Sequence, residues 1–192
     1  MAGLSELEAV NMMLTNIGET PVSTLEGASG DAYVSIAQSV LNEINRAVQE
    51  KGWHFNTDKN YTITPDVDNY VSVASNVITL DTIKGGVDVA IRQGKLYNKD
   101  KHTFLFEDGA FKCDVIWEFD FMDTPQYLRQ FIAIRAARVF SNRMQGDITG
   151  AQLSADDELQ AKITAKRHDN RQADRTMFQN YSNIGRLQSR RI

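Results

Sequence analysis

The fold is decided within residues 34–55, VSIAQSVLNEINRAVQEKGWHF, because the spacing of apolar residues changes inside this stretch. The first part places apolar residues three and four positions apart: Val34, Ala37, Leu41, Ile44 and Val48. This spacing predicts a helix with one apolar stripe, capped by Ser29 or Asp31 and ended by Gly52. From Trp53 onward apolar residues alternate with polar ones, which predicts a half-buried strand.

The opposite face of this helix is polar without being strongly charged, and consists of Gln38, Asn42, Asn45, Arg46 and Gln49. Such a face suits contact with solvent, and it also suits a hydrated contact between subunits. The sequence therefore predicts that these side chains point away from the core.

A first helix precedes this one. Ser5 and Glu8 have the spacing of a capping box, in which each satisfies a free backbone N–H of the first turn. Gly18 can adopt the left-handed conformation that ends a helix, and Pro21 prevents continuation. Residues 20–30 are predicted to form a loop.

Residues 53–122 contain short apolar runs that predict a small antiparallel β region. Turn residues at Gly85-Gly86, Asn98-Lys99-Asp100 and Asp108-Gly109 separate the runs. Further strand-like runs are 61–63, 70–73, 77–80, 87–91, 103–106 and 110–121. Asp108-Gly109 lies between the last two runs and predicts a hairpin there.

Helices return after the β region. Asp123-Thr124-Pro125 is a capped start with proline at the first helical position, and Gly146 closes that helix. A last, mostly polar helix is predicted from Ser154 to about Tyr181. Its thin apolar seam consists of Leu159, Ile163, Met177, Phe178 and Tyr181.

The order of elements predicts an α+β fold: a four-helix bundle formed by the N- and C-terminal helix pairs, with a small antiparallel β domain inserted between them. Residues 1–52 and 123–182 would form the bundle, and 53–122 the inserted domain. Residues 183–192 are predicted to be a flexible basic tail.

Charge is unevenly spread along the chain, whose net charge is -4. From Lys166 onward seven Lys and Arg residues oppose two Asp residues, a net of +5 that leaves -9 for residues 1–165. Such asymmetry is typical of an interaction arm, and equally of a solvated helix and its frayed end.

No apolar run reaches the ~20 residues that span a bilayer. The N-terminus lacks the basic and apolar regions of a secretory signal, and the lone Cys113 allows no internal disulfide. Both features predict folding in a reducing cytosol.

No catalytic, metal-binding or cofactor-binding constellation is predicted. The histidines, His54, His102 and His168, lie in three different elements without metal-ligand spacing. Cys113 lies in an alternating strand and is interpreted as a packed thiol. Carboxylate pairs are present, as in any acidic protein, and an enzyme would need two of them in one cleft.

Residues 16–27, NIGETPVSTLEG, resemble the IGE-P-VSTLEG signature of the tail tubular protein A family of short-tailed phages. Further stretches follow in order: LNEINR at 41–46, KGWHFN at 51–56, TITPD at 62–66 and FSNR at 140–143. They resemble the family patterns LNKINR, RGW-FN, LLPD and FNNR. The resemblance runs from about residue 5 to 160 and leaves the C-terminal tail unmatched.

The resemblance implies a ring, of twelve copies, beneath the portal protein and above the tail nozzle protein, tail tubular protein B. Such a ring gives tail fibres a docking surface. It also forms part of a conduit through which double-stranded DNA passes without specific binding. The resemblance also implies a place in the virion tail, with assembly in the host cytoplasm; the lack of a long apolar run predicts no membrane partner.

Three sets of residues are candidates for this role. The signature loop, Gly18, Pro21 and Leu25, is expected to direct the chain from the first helix to the second. The junction, Gly52, Trp53 and Phe55, is expected to lock the bundle to the β region. The candidate portal-docking segment is Arg186, Arg190, Arg191 and Ile192.

Two other classes of function stay open. A polysaccharide-degrading enzyme would need a carboxylate pair, for which Glu107 and Asp120 are candidates. A host-directed binding module would use the β region, residues 53–122, by itself.

Overall fold

The computed structural model describes residues 3–26, 31–83, 86–145 and 148–173, with side chains described except for 145 and 148–154. These ranges form four α-helices and a small antiparallel sheet, which confirms the α+β class. The helices are α1 (Glu6–Asn16), α2 (Ala32–Gln49), α3 (Gln126–Gln145) and α4 (Ile148–Gln172). The strands are β1 (Thr57–Ile63), β2 (Val77–Thr82), β3 (Val89–Arg92), β4 (Lys95–Asn98) and β5 (Phe111–Trp117).

The predicted helix starts are confirmed in the N-terminal half. Ser5 and Glu8 form the capping box: the backbone N–H of Glu8 donates to Ser5 Oγ at 3.2 Å, and that of Ser5 donates to Glu8 Oε2 at 2.7 Å. Asp31 caps α2 through its contact with the N–H of Tyr33, at 2.9 Å. The alternative cap, Ser29, lies outside the described residues.

The C-terminal helices differ from the prediction in where they begin and in which residues of α4 are buried. α3 begins directly after Pro125, and α4 begins at Ile148 instead of Ser154. Leu159, predicted as core, is 51% exposed. The buried side of α4 instead carries Ala165 and Asp169, because a small side chain lets α4 approach α3 closely. Of the other predicted helix ends and seam residues, Gly146, Met177, Phe178 and Tyr181 lie outside the described residues.

The helical core is organised around α3. Helices α1, α2 and α4 each pack against α3, and α1 and α2 also pack against each other. Phe131 and Phe140 of α3 are fully buried in this cluster, together with the predicted stripe of α2. A bidentate ion pair from Arg143 to Glu43, at 2.7 and 2.8 Å, also joins α3 to α2.

The sheet has the strand order β1-β5-β2, with both neighbours antiparallel to the central β5. A bulge interrupts the pairing of β1 between Asp58 and Tyr61, where Asn60 adopts a φ of 55°. A second hydrophobic cluster lies in this part of the chain and consists of Val71, Leu80, Val89, Leu96, Phe106, Cys113 and Val115.

The hairpin predicted at Asp108-Gly109 is wrong. Strand β5 pairs with β1 and β2 on its two sides, so residues 103–106 do not pair with it, and Thr103 makes an isolated bridge with Asn98 of β4. This segment instead folds against a loop, where Phe106 N donates to Asn69 O at 2.8 Å. A hairpin joins β3 to β4 instead, through Gln93 and Gly94 at positive φ.

Two further strand predictions are wrong. Residues 70–73 make only an isolated bridge, between Ser72 and Lys95. Residues His54–Asn56 form a 3-10 turn in place of a strand, because the preceding Trp53 is drawn into the helical core. Strand β1 therefore begins at Thr57.

Burial makes Cys113 a testable probe of the sheet. Its side chain is fully buried, which confirms the packed thiol, and burial raises its pKa to about 11, with the charge of Asp114 adding to the rise. Because only the thiolate reacts, we expect modification by a disulfide reagent at about pH 8 to be roughly a hundredfold or more slower in the native protein than after unfolding in guanidinium.

The matched control is Lys59→Cys in a Cys113→Ala background, since Lys59 is exposed on β1. This thiol should react at the unfolded rate while the protein is native. Fast reaction of native Cys113 would contradict its placement in the second cluster.

Candidate functional site

The junction between α2 and the sheet begins with a turn that requires glycine. Gly52 adopts a φ of +68°, which side-chain-bearing residues rarely adopt. A Cβ atom at this position would also lie 3.1 Å from Ile116 Cδ1 on β5. The turn therefore brings the end of α2 directly against the central strand.

Trp53 and Phe55 extend from this turn in two directions. Trp53 is 5% exposed, donates from Nε1 to Val48 O at 2.7 Å, and lies 6.3 Å from the Phe131 ring. Phe55 is partly buried against the helical core and its ring lies 5.7 Å from that of Phe119, which follows β5. Trp53 therefore packs in the helical core, and Phe55 contacts both that core and the segment after β5.

A buried amide network completes the junction. Gln49, which is fully buried, accepts from Phe119 N at 2.9 Å and donates to Phe119 O at 2.8 Å. Asn45 Nδ2 donates to the same carbonyl at 2.9 Å. Asn56 donates from Nδ2 to Gln49 O at 3.1 Å and to Trp117 O at 2.8 Å. Three side-chain amides therefore tie the last turns of α2 to the end of β5, and we call them the amide clamp.

The amide clamp corrects the prediction for the polar face of α2. Asn45 and Gln49 were expected to face solvent or a neighbouring subunit, and they are instead buried inside the chain. Asn42, on the same face, is exposed as predicted. One signal could have found the pair: they are uncharged amides one helical turn apart, close to the glycine that ends the helix. Amides can satisfy backbone donors and acceptors without burying a charge.

The signature loop is fixed by backbone chemistry. Gly18 adopts a φ of +84°, and the N–H groups of Gly18 and Glu19 donate to Thr15 O and Leu14 O, the pattern of a Schellman motif. Pro21 is exposed, whereas Leu25 packs against the helical core.

One further residue, not predicted from the sequence, holds the signature loop. Asn11 of α1 contacts both backbone groups of Val22: its Nδ2 donates to Val22 O at 2.9 Å, and Val22 N donates to its Oδ1 at 2.8 Å. The sequence could have indicated this role, because asparagine is unfavourable inside a regular helix unless its side chain has a hydrogen-bond partner.

Helix α4 is attached to the junction by a buried carboxylate. Asp169 is 7% exposed and accepts from the backbone N–H of His54 at 2.8 Å. Burial raises the pKa of the neighbouring Tyr127 to about 12, and the negative charge of Asp169 adds to the rise. His54 thus serves the junction through its backbone, and the three helices α2, α3 and α4 meet there.

A groove of about 470 Å³ lies beside the junction, and we call it the basic groove. Its rim carries Lys51, Lys162 and Lys166, and its base includes Trp53 and Phe131. Burial lowers the pKa of Lys51, and the positive charges of Arg135, Lys162 and Lys166 lower it further. These cations are therefore close enough to repel one another.

The candidate carboxylates are not brought together in the grooves of the described chain. Glu107 and Asp120 are both exposed, and neither lines any of four grooves of the described chain, each of which is lined by a single carboxylate. Within the described ranges no group of three or more His, Cys, Asp and Glu residues could hold a metal ion. No described helix has both the length and the apolar character needed to cross a bilayer.

The predicted portal-docking residues, Arg186, Arg190, Arg191 and Ile192, lie outside the described residues. Their role stays a prediction from the sequence.

Replacing Gln49 tests the amide clamp. Gln49→Ala removes the side-chain acceptor of Phe119 N, leaves Phe119 O with Asn45 as its side-chain donor, and opens a small cavity. We expect a loss of about 2–4 kcal/mol in the free energy of unfolding, measured by denaturant titration. Asn42→Ala, an exposed amide on the same helix, should change it by less than about 0.5 kcal/mol. Equal effects of the two substitutions would show that the clamp contributes nothing.

Comparison with known proteins yields one family. The family model described as tail tubular protein matches residues 7–175, which include every helix and strand described above except the first residue of α1. A search of curated proteins finds no match. The chain therefore belongs to the tail tubular protein family, and is a structural protein of the phage virion tail that assembles with other tail proteins.

Proposed function

We propose that this chain is the adaptor subunit of a short-tailed phage: a ring of copies between the portal protein and the nozzle protein, tail tubular protein B. The observation that carries the proposal is the family match over residues 7–175, which extends across both hydrophobic clusters and the junction between them. The ring is proposed to have twelve copies and to give tail fibres a docking surface. Assembly is proposed to take place in the host cytoplasm.

The construction of the junction supports this role. A ring subunit must present two separate contact surfaces in a fixed relative orientation, because small angular errors accumulate around a closed ring. Hydrogen bonds are directional, and the amide clamp places several of them between α2 and the end of β5. We infer that residues 1–52 and 123–182 act as one helical bundle domain and residues 53–122 as an inserted β domain.

The charge of the chain supports a role as a DNA conduit. Residues 1–165 carry a net charge of -9. A wall of this sign repels phosphate, so that double-stranded DNA passes without being retained, whereas a basic wall binds it through counterion release. A neutral or basic channel in the assembled ring would contradict this part of the proposal.

Mass measurement tests the adaptor function directly. The chain is mixed with the portal protein of the same phage, and the complex is measured by native mass spectrometry beside each protein alone. We expect the portal complex to gain twelve chains of 21.6 kDa. A portal protein that gains no mass at any concentration tested would refute the adaptor function.

Truncation tests the proposed docking role of the basic tail. Removal of residues 183–192 takes away three arginines, Arg186, Arg190 and Arg191. If they contact acidic portal surface, we expect weaker attachment to portal and a smaller loss of attachment as salt is raised. A version with Gln at these three positions separates the effect of charge from that of length. Unchanged attachment of both variants would rule out docking by the tail.

A further inference from the structure

The basic groove is an exception on an acidic protein. Three ammonium groups and a single carboxylate, that of Asp169, line it. Asp169 is buried and already accepts from the N–H of His54. Glu158, the other carboxylate that acts on Lys51, is bound by Arg135 and Arg138 of α3. The rim is therefore left with positive charge that nothing in the described chain neutralises fully.

A loop of the β region has the opposite character. Asp66 Oδ1 accepts from Asp68 N at 3.0 Å and from Tyr70 N at 2.8 Å, and Asp66 N donates to Tyr70 O at 2.8 Å. These bonds give the loop a fixed shape. Val67 at its apex is 97% exposed, between two exposed carboxylates. We call Asp66, Val67 and Asp68 the acidic tip.

The two surfaces are complementary in charge and in polarity. The acidic tip has an apolar apex with carboxylates on either side, and the basic groove has an aromatic base with ammonium groups on its rim. The volume of the groove, about 470 Å³, is far larger than the roughly 30 Å³ of a water molecule and admits side chains. Every residue lining the groove comes from the turn Lys51-Gly52-Trp53 or from α3 and α4, so the chain's own tip does not fill it.

We propose that the acidic tip of one copy docks into the basic groove of the next copy. The contact joins two different surfaces, so repetition of it generates a ring or an open helix of subunits, and it rests on the ring proposed above. Val67 would lie against the exposed part of Trp53, with Asp66 and Asp68 facing the lysines.

Duplex DNA is the competing occupant. A duplex presents phosphates along its whole length, and those outside the groove would meet the acidic surface of residues 1–165. A small acidic loop reaches the lysines without that repulsion, which favours a protein tip.

Charge exchange between copies tests the contact. Asp68→Lys and Lys166→Glu are the variants, because both side chains are exposed. Alone, each variant places like charges in every contact, and we expect a roughly tenfold or greater rise in the concentration needed to form rings on portal protein. An equal mixture of the two restores opposite charges at every contact of an alternating, even-numbered ring. We therefore expect the mixture to assemble near the wild-type concentration.

Lys59→Glu is the matched control, an exposed lysine on β1 that should assemble like wild type. Circular dichroism and thermal unfolding check that every variant is folded. Normal assembly of both single variants overturns the contact, and so does a mixture that fails as its components do. If Lys166→Glu rings form normally but duplex DNA binding falls, the groove is a phosphate site instead. Wild-type chains that form no ring on portal refute the adaptor function itself, together with this contact.

Discussion

The backbone of Phe119 lies where the chain leaves β5, outside the regular pairing of the sheet. Its N–H donates to the Gln49 side chain, and its C=O accepts from Gln49 and Asn45. A buried donor or acceptor without a partner costs about 1–3 kcal/mol, so the position of β5 relative to α2 is tightly constrained. The same fixed position of β5 relative to α2 determines three neighbouring features: the turn at Gly52, the aromatic contacts of Trp53 and the start of β1.

The clamp lies between two hydrophobic clusters formed by the described residues. Apolar contacts are not directional, and alone they would hold the helical cluster and the sheet cluster together with little control over their relative orientation. Amide hydrogen bonds require specific distances and angles. Asn45, Gln49 and Asn56 therefore contribute orientation more than affinity, which suits a protein whose function in the tail depends on shape.

Ion pairs contribute to the same organisation of the helices. Arg143 and Glu43 are about half exposed, so their pairing is worth little in free energy, but its bidentate geometry aligns α3 with α2. Hydrogen bonding to Arg143 also lowers the pKa of Glu43, which keeps this carboxylate charged.

The sequence by itself determined the features that depend on near neighbours. The capping box of Ser5, the cap by Asp31 and the turn at Gly18 were all predicted, because each depends on atoms within a few residues. The same is true of the apolar stripe of α2. Family membership was also readable, since the motif at residues 16–27 is local.

Only the tertiary structure decided which strands pair and which polar residues are buried. Residues 103–106 have the pattern of a strand, but both edges of β5 are already occupied. Leu159 has the spacing of a core residue, but it is half exposed, and α4 buries Ala165 in the helical core instead. Asn42 and Gln49 lie on one polar face, and only Gln49 is buried, because its backbone partner lies 70 residues away. Helical periodicity reports which face a residue occupies, and it cannot report what distant segment of the chain comes to lie there.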